Sequence, residues 1–246
     1  MVLPQDQRER LVQELFDRIA RRYDLLNRVI SFHLDTFWRK KLLGVLALKS
    51  NERFFLDLGT GTGDLALMAA REISENALMV GLDFSPEMLR LARAKRDRSP
   101  HGHSIVYLQG SALVPPFKDE TFDAIMSAFV LRNITNLNLF FHQAYRLLKP
   151  GGRVVTLDMF PPKGFPFSVL YSLYFYRMVP WIGAGLAYDR KAYQYLSDSV
   201  RRFDPPETIA GLIRQAGLDR VKVRKFLRGA ICLHVGEKPL LQAKQA

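Results

Sequence analysis

Residues Phe54–Leu67 read FFLDLGTGTGDLAL. A short apolar run ends in Asp57, then Gly59, Gly61 and Gly63 alternate, and Asp64 opens a new apolar pattern. Strand, glycine turn and helix in that order form a unit that holds an adenosyl cofactor at the head of an α/β sheet. The spacing narrows the choice of cofactor. A dinucleotide fingerprint, G-x-G-x-x-G, needs a third glycine where Asp64 stands, and a phosphate-binding loop needs a Lys-Ser/Thr pair that is absent here. A helix N-terminus attracts anions, so an aspartate at that position opposes a pyrophosphate. S-adenosylmethionine (SAM) fits better, because it carries an ammonium, a sulfonium and a neutral ribose but no phosphate. Asp57 suits its amino-acid end, and the turn Gly59–Gly63, Thr62 included, lets bare backbone approach the adenosyl group. Asp83 ends the next apolar run, 20 residues beyond Gly63, where an acid accepts hydrogen bonds from ribose hydroxyls. The loop QGSALVPPF offers Ser111 and Ala112 to the adenine.

Outward from this turn the chain alternates short apolar runs with amphipathic stretches. LMVGLDFS, SIVYLQGS, FDAIMSAFVL and RVVTLDM read as strands. PEMLRLARAK, behind Ser85 as N-cap and Pro86 in the first turn, reads as a helix, and so does NLFFHQAYRLL, which ends at Lys149-Pro150-Gly151-Gly152. This alternation predicts a doubly wound, mostly parallel sheet. Residues 8–48 read as helix, with Leu11, Leu15, Ile19 and Tyr23 at helical spacing and a bend expected within YDLLNRVISFHLD. Residues 160–190 break the alternation, with seven aromatic residues from Phe165 to Trp181 and Arg177 as the only charge between Gly164 and Asp189. Pro166, Pro180, Gly183 and Gly185 argue against one continuous membrane-spanning helix there. The stretch reads instead as a greasy lid over an apolar substrate, or as ordinary core helices.

The chain has 246 residues, of which 48% are hydrophobic and 24% charged, as in a soluble globular protein. Its net charge of +12 favours anionic partners, either nucleic acid or an anionic membrane surface. VPPF at Val114–Phe117 resembles the motif of amino-methylating nucleic-acid enzymes, but it begins with Val and precedes the fourth strand. No added RNA-binding module is visible, so nucleic acid is disfavoured. The lone cysteine, Cys232, sits in the apolar run GAICLHV and reads as a buried structural thiol. His101 and His103 lack a third ligand at suitable spacing, so a metal-free protein is expected. The polar N-terminus has no signal-peptide pattern, and a cytoplasmic location is expected.

The segments FDRIARRYDLLNRVISFHLDTFWRK, LDLGTGTGDLAL, GLDFSPEML, FVLRNITN, YRLLKPGGR and YQYLSDSV together resemble the UbiE/COQ5/MenG quinone C-methyltransferases. The resemblance runs from about Phe16 to Glu237, and Tyr23-Asp24-x-x-Asn27, Leu131-Arg132-Asn133 and Tyr193-x-Tyr195-Leu196 are its most specific parts. It implies a class I SAM-dependent methyltransferase: Rossmann-like, with a mostly parallel seven-stranded sheet, helices on both faces and an N-terminal helical cap. The whole chain, 1–246, is then one domain, divided into a cap (1–50), a SAM-binding core (51–160), an aromatic lid (161–205) and a C-terminal helix and strands (206–238). The implied reaction is C-methylation of a polyprenylated quinol, demethylmenaquinol foremost and a benzoquinol next. RNA or small-aromatic methylation and a non-catalytic SAM-binding scaffold are the alternatives.

Arg132, Asn133, Asp24 and Tyr23 are the expected catalytic group. Arg132 would stabilise the quinolate, Asn133 would orient the ring oxygen and Asp24 would serve as base. Asn27, Phe129, Tyr171, Tyr193 and Tyr195 are expected to line the substrate. A lipid-soluble acceptor implies peripheral association with the inner face of a membrane, and a homodimer is compatible with the sequence. The family often has Asp or Asn at Ser111, Ser at Ala128 and an acid at Leu113, so contacts in these loops are expected to differ.

Overall fold

The computed structural model describes residues 5–179 and 190–240. Seven strands form one sheet in the order β3-β2-β1-β4-β5-β7-β6. They are β1 (Phe54–Leu58), β2 (Leu78–Asp83), β3 (Ile105–Gln109), β4 (Phe122–Ala128), β5 (Leu148–Met159), β6 (Asp219–Phe226) and β7 (Ile231–Glu237). The first five are parallel, and β7 pairs antiparallel with both β5 and β6. Strand order reverses between β1 and β4, and open α/β sheets place ligands at the carboxyl edge of such a switch point.

β1, β2 and β4 are nearly continuous apolar runs because helices cover both faces. On one face α2 (Leu34–Leu46), α3 (Asp64–Ala69) and α4 (Pro86–Arg96) enclose Phe55, Met79 and Leu89. On the other, α5 (Leu137–Leu147) and a later helix, Pro206–Gln215, enclose Leu56, Phe140 and Phe141. Burying each Phe contributes about 1.5–3 kcal/mol. Ser85 caps α4 as expected, its hydroxyl accepting from Met88 N at 3.1 Å. Cys232 is fully buried, and burial pushes its thiol up to about 12.

One boundary differs from the sequence reading. The predicted helical stop at Lys149-Pro150-Gly151-Gly152 is the start of strand β5, where Gly151 adopts φ +76° and Gly151 N donates to Lys238 O. The bend expected within YDLLNRVISFHLD falls late in that segment: helix α1 (Gln5–Ile30) continues through YDLLNRVI, and the chain breaks at Ser31–His33, where Phe32 and His33 adopt φ +51° and +62°. Helical periodicity reports the face of a helix but not its last turn.

α1 forms a cap over the carboxyl edge of the sheet. Its inner face (Ile19, Leu26, Ile30) packs with Met88 of α4, and with Phe175 and Val179 of the aromatic segment. That segment continues from α6 (Phe167–Ser172) into one π-helical stretch, Leu173–Met178. A further helix, α7 (Arg190–Arg201), adds Val200, and Pro206–Gln215 is α8. Trp181, Gly183 and Gly185 lie outside the described residues. No helix among the described residues is long and apolar enough to cross a membrane.

Candidate active site

Three parallel strands carry the same dipeptide at or next to their carboxyl ends: Leu56-Asp57 in β1, Leu82-Asp83 in β2 and Leu157-Asp158 in β5. All three carboxylates are buried at the carboxyl edge, beneath the cap. Asp57 accepts from Thr60 Oγ1 at 2.7 Å. Asp83 accepts from Gly61 N at 2.7 Å and from Ser85 N at 2.9 Å. Asp158 pairs with Arg132 at 2.6 Å.

A cleft opens over the glycine turn. Asp57, Gly59, Gly61, Thr62, Asp83, Ser111 and Ala112 line one side of it. Tyr23, Arg39, Phe129 and Asn133 line the other. The turn's glycines serve different needs. A Cβ at Gly63 would sit 2.2 Å from the Tyr107 hydroxyl, so this position is closed by packing. A Cβ at Gly61 would meet nothing within 4 Å, so here bare backbone faces the open cavity at φ +56°. That cradle, flanked by two carboxylates, fits SAM. Asp57 and the turn would take its amino-acid end, Asp83 its ribose, and the Ser111–Leu113 loop its adenine.

Burial pushes the Asp57 carboxyl up to about 7, against the pull of its Thr60 hydrogen bond, and the Asp83 carboxyl up to about 6. Both groups hold a proton more tightly in the fold than at their ordinary value of 3.8. Between about pH 4 and about pH 7 the folded protein therefore binds more protons than the unfolded chain, and its stability without cofactor falls as pH rises. The ammonium and hydroxyl donors of SAM favour the ionised carboxylates. SAM affinity is therefore expected to rise severalfold between about pH 5 and about pH 8, and Asp57→Asn to flatten the rise. Calorimetric titration across that range checks this, and a pH-independent affinity in the native protein contradicts it.

The substrate-side residues are built around a strained backbone. Phe129 follows β4 with φ +64°, and its N–H still donates to Leu157 O at 2.7 Å. Left-handed backbone at a bulky residue costs about 1–3 kcal/mol and is retained where function uses it. The turn lays the Phe129 ring beneath two cations, with Arg39 at 5.4 Å and Arg132 at 5.9 Å from its centroid. Arg39 is buried and paired to Asp35 at 2.6 Å. Burial raises the Tyr23 hydroxyl above its ordinary range, while Arg132 and a hydrogen bond with Asn27 pull it back.

Arg132 departs from the sequence expectation. Its side chain does not border the glycine-turn cavity but is buried in the ion pair with Asp158, where burial works against its charge and Asp158, Tyr23 and Tyr195 together more than offset that. It lines a second cleft with Tyr195, and this cleft shares Ile134 and Thr135 with the first. Arg132 thus forms a wall between the two spaces. Its Nε and the buried Tyr171 hydroxyl have no hydrogen-bond partner among the described residues. Tyr171 stacks on Phe175 inside the cap, centroids 5.2 Å apart, and burial raises its hydroxyl. The Tyr193 side chain lies outside the described residues.

Asp24 also departs from expectation. Its carboxylate pairs with Lys95 at 2.5 Å and accepts from Thr62 Oγ1 at 2.6 Å. Lys95 also pairs with Asp64 at 2.5 Å. Asp24 therefore ties the cap to the glycine turn and is absent from the lining of the cleft, which argues against it as the base. No group of three or more His, Cys, Asp or Glu among the described residues has the arrangement of a metal site.

The model of the ubiE/COQ5 methyltransferase family matches residues 4–238. The chain belongs to that family. It is 40% identical over 225 residues to the demethylmenaquinone methyltransferase of Thermus thermophilus, covering 92% of this chain and all (100%) of that one. It is 35% identical over 233 residues to the ubiquinone/menaquinone biosynthesis C-methyltransferase UbiE of Pectobacterium atrosepticum, covering 95% of this chain and 92% of that one. Among solved structures, a SAM-dependent methyltransferase from Thermotoga maritima, described as a possible histamine N-methyltransferase, aligns with TM-score 0.62 at 20% identity over 92% of this chain and 99% of that one. At that identity the likeness speaks for the class I fold alone. The ubiE/COQ5 chain is thus a SAM-dependent methyltransferase with the Rossmann-like, seven-stranded architecture its glycine turn implied.

Within this ubiE/COQ5 site, the sequence reading missed Arg39 and Asp158. Both carried a signal. Asp35 and Arg39 stand four apart on the inward face of α2, with Trp38, Leu42 and Leu46, at the spacing of an ion pair. Asp158 repeats the Leu-Asp strand ending that had already marked Asp57 and Asp83.

Proposed function

We propose that this chain methylates a ring carbon of a polyprenylated quinol, with demethylmenaquinol as acceptor, in menaquinone biosynthesis. The observation that carries the reading is one cavity bounded by cofactor-binding residues on one side and by Tyr23, Phe129, Asn133 and Arg39 on the other. The name of the Thermus thermophilus relative supports the naphthoquinol, and the UbiE name keeps the ubiquinone-pathway benzoquinol as the second reading.

When bound, SAM supplies an electrophilic methyl on a sulfonium. The chain's own residues must make the acceptor carbon nucleophilic. A quinol hydroxyl ionises near a phenol's pKa of about 10, so the site has to favour the quinolate. Arg39 on the cavity wall and Arg132 behind it provide fixed positive charge in a dry setting, where charge counts for more than in water. Asn133 orients the ring oxygen, and Phe129 and Tyr23 hold the ring flat. The phenolic proton leaves to water. Closure of the cap excludes bulk water and holds the acceptor in line with the methyl group. The apolar tail leaves toward the aromatic segment. A lipid-soluble acceptor accounts for the basic charge through peripheral attachment to the inner membrane face, in a cytoplasmic protein.

Asp24→Asn distinguishes a tether from a base. Loss of a general base costs about 10²–10⁴ in rate. Weaker SAM binding is expected, with turnover at saturating SAM within about threefold of native, since the half-buried pair with Lys95 tethers the glycine turn and is not part of the acceptor lining. A thousandfold lower turnover with unchanged SAM affinity would restore Asp24 as base. Product analysis by mass spectrometry and NMR tests the reaction class: the new methyl belongs on a ring carbon, and an O-methyl product overturns the proposal.

A further inference from the structure

The cap has an outer face with no protein partner among the described residues. On α1, Leu25 and Val29 are exposed at helical spacing, and Phe32 in the following turn is 71% exposed. On the aromatic segment Leu170, Leu173 and Met178 are each at least half exposed. The two strips are one surface. Phe32 stacks on Tyr174 with centroids 5.7 Å apart, and the Tyr174 hydroxyl donates to Ile30 O at 2.7 Å. An apolar patch this continuous marks a docking site.

Its charge identifies the partner. Arg21 and Arg28 are exposed on α1, and Arg177 is exposed beside Met178. No acid occurs between Gly164 and Met178, and Asp24, the one acid between Arg18 and Leu34, is tied to Lys95. A protein partner would accept mixed charge at the rim. Apolar side chains flanked by cations, with no unpaired acid in either strip among the described residues, match lipid tails beneath anionic headgroups. The same elements also form the inner wall, since Tyr23 of α1 lines the cavity and Tyr171 is packed inward while its neighbour Leu170 is exposed.

We infer that this face seats the protein on an anionic bilayer and sets the cap against the lipid from which the acceptor is drawn. The inference rests on the proposed lipid-soluble acceptor, and its test separates the two. Sedimentation with phosphatidylcholine vesicles, with and without phosphatidylglycerol, reads the docking. The native chain is expected to pellet with the anionic vesicles. The pairs Leu170→Ser with Leu173→Ser, and Arg28→Gln with Arg177→Gln, are each expected to weaken partitioning at least about tenfold. Both should keep the native melting temperature and native turnover on a short-tailed quinol in solution, while losing turnover on a long-tailed quinol embedded in vesicles. Vesicle binding that is absent, or unchanged in both variants, overturns the inference. So does a dimer that Leu170→Ser dissociates without any vesicle binding, since a second copy would then cover this face. Failure of the native chain on the short-tailed quinol counts against the proposed activity and leaves the vesicle result standing.

Discussion

Replacing Arg132 with methionine is expected to destabilise the fold by about 3–5 kcal/mol. The Arg132 side chain is 4% exposed and its Asp158 partner 0%, so the substitution strands a carboxylate in an interior with no other cation at hydrogen-bond distance among the described residues. The cost is mostly that orphaned charge, not the worth of the pair. Arg132→Met combined with Asp158→Leu removes both charges and is expected to recover most of the stability, read as the midpoint of urea unfolding. Turnover should not return with it. The pair is a positioning element for the acceptor wall, holding Phe129 and the Tyr23 hydroxyl, so the double variant should fold, bind SAM normally and methylate slowly. Full turnover in the stable double variant would reduce the ion pair to a structural strut.

Gly61→Val is expected to weaken SAM binding at least about 100-fold, or about 2.7 kcal/mol. The fold itself should lose only about 2 kcal/mol, the strain of a side chain in left-handed backbone. The new methyl groups would project into cavity space where Gly61 leaves nothing within 4 Å, the space assigned to the cofactor. Gly63→Ala provides the contrast. Its Cβ would collide with Tyr107, so it should destabilise the protein even without cofactor. Titration calorimetry and thermal unfolding in the absence of SAM separate the two outcomes. Equal SAM affinity in folded Gly61→Val would mean that the cofactor lies elsewhere.

The carboxyl edge of the sheet was legible because its residues obey local rules. Strand positions and the Ser85 cap each follow from a few neighbouring positions and appear as read, although the first four strands end one to three residues earlier than their apolar runs suggest. What was not legible depends on contacts between distant segments. Asp24 looks like a free acid in sequence, but Lys95 comes from a helix 71 residues later and claims it. Arg132 looks like a surface cation after a strand, yet β5 presents Asp158 beside it. The positive φ of Phe129 has no sequence mark at all, because it follows from joining β4 to its neighbour while turning the chain over the site.

The most direct measurement is transfer of the labelled methyl of SAM by the purified protein to chemically reduced, short-tailed demethylmenaquinol, with the oxidised quinone and bulk RNA in parallel. The account predicts label in the quinol and none in the quinone or the RNA, since an oxidised ring has no hydroxyl to ionise. Label in RNA, with the quinol unlabelled, would contradict it.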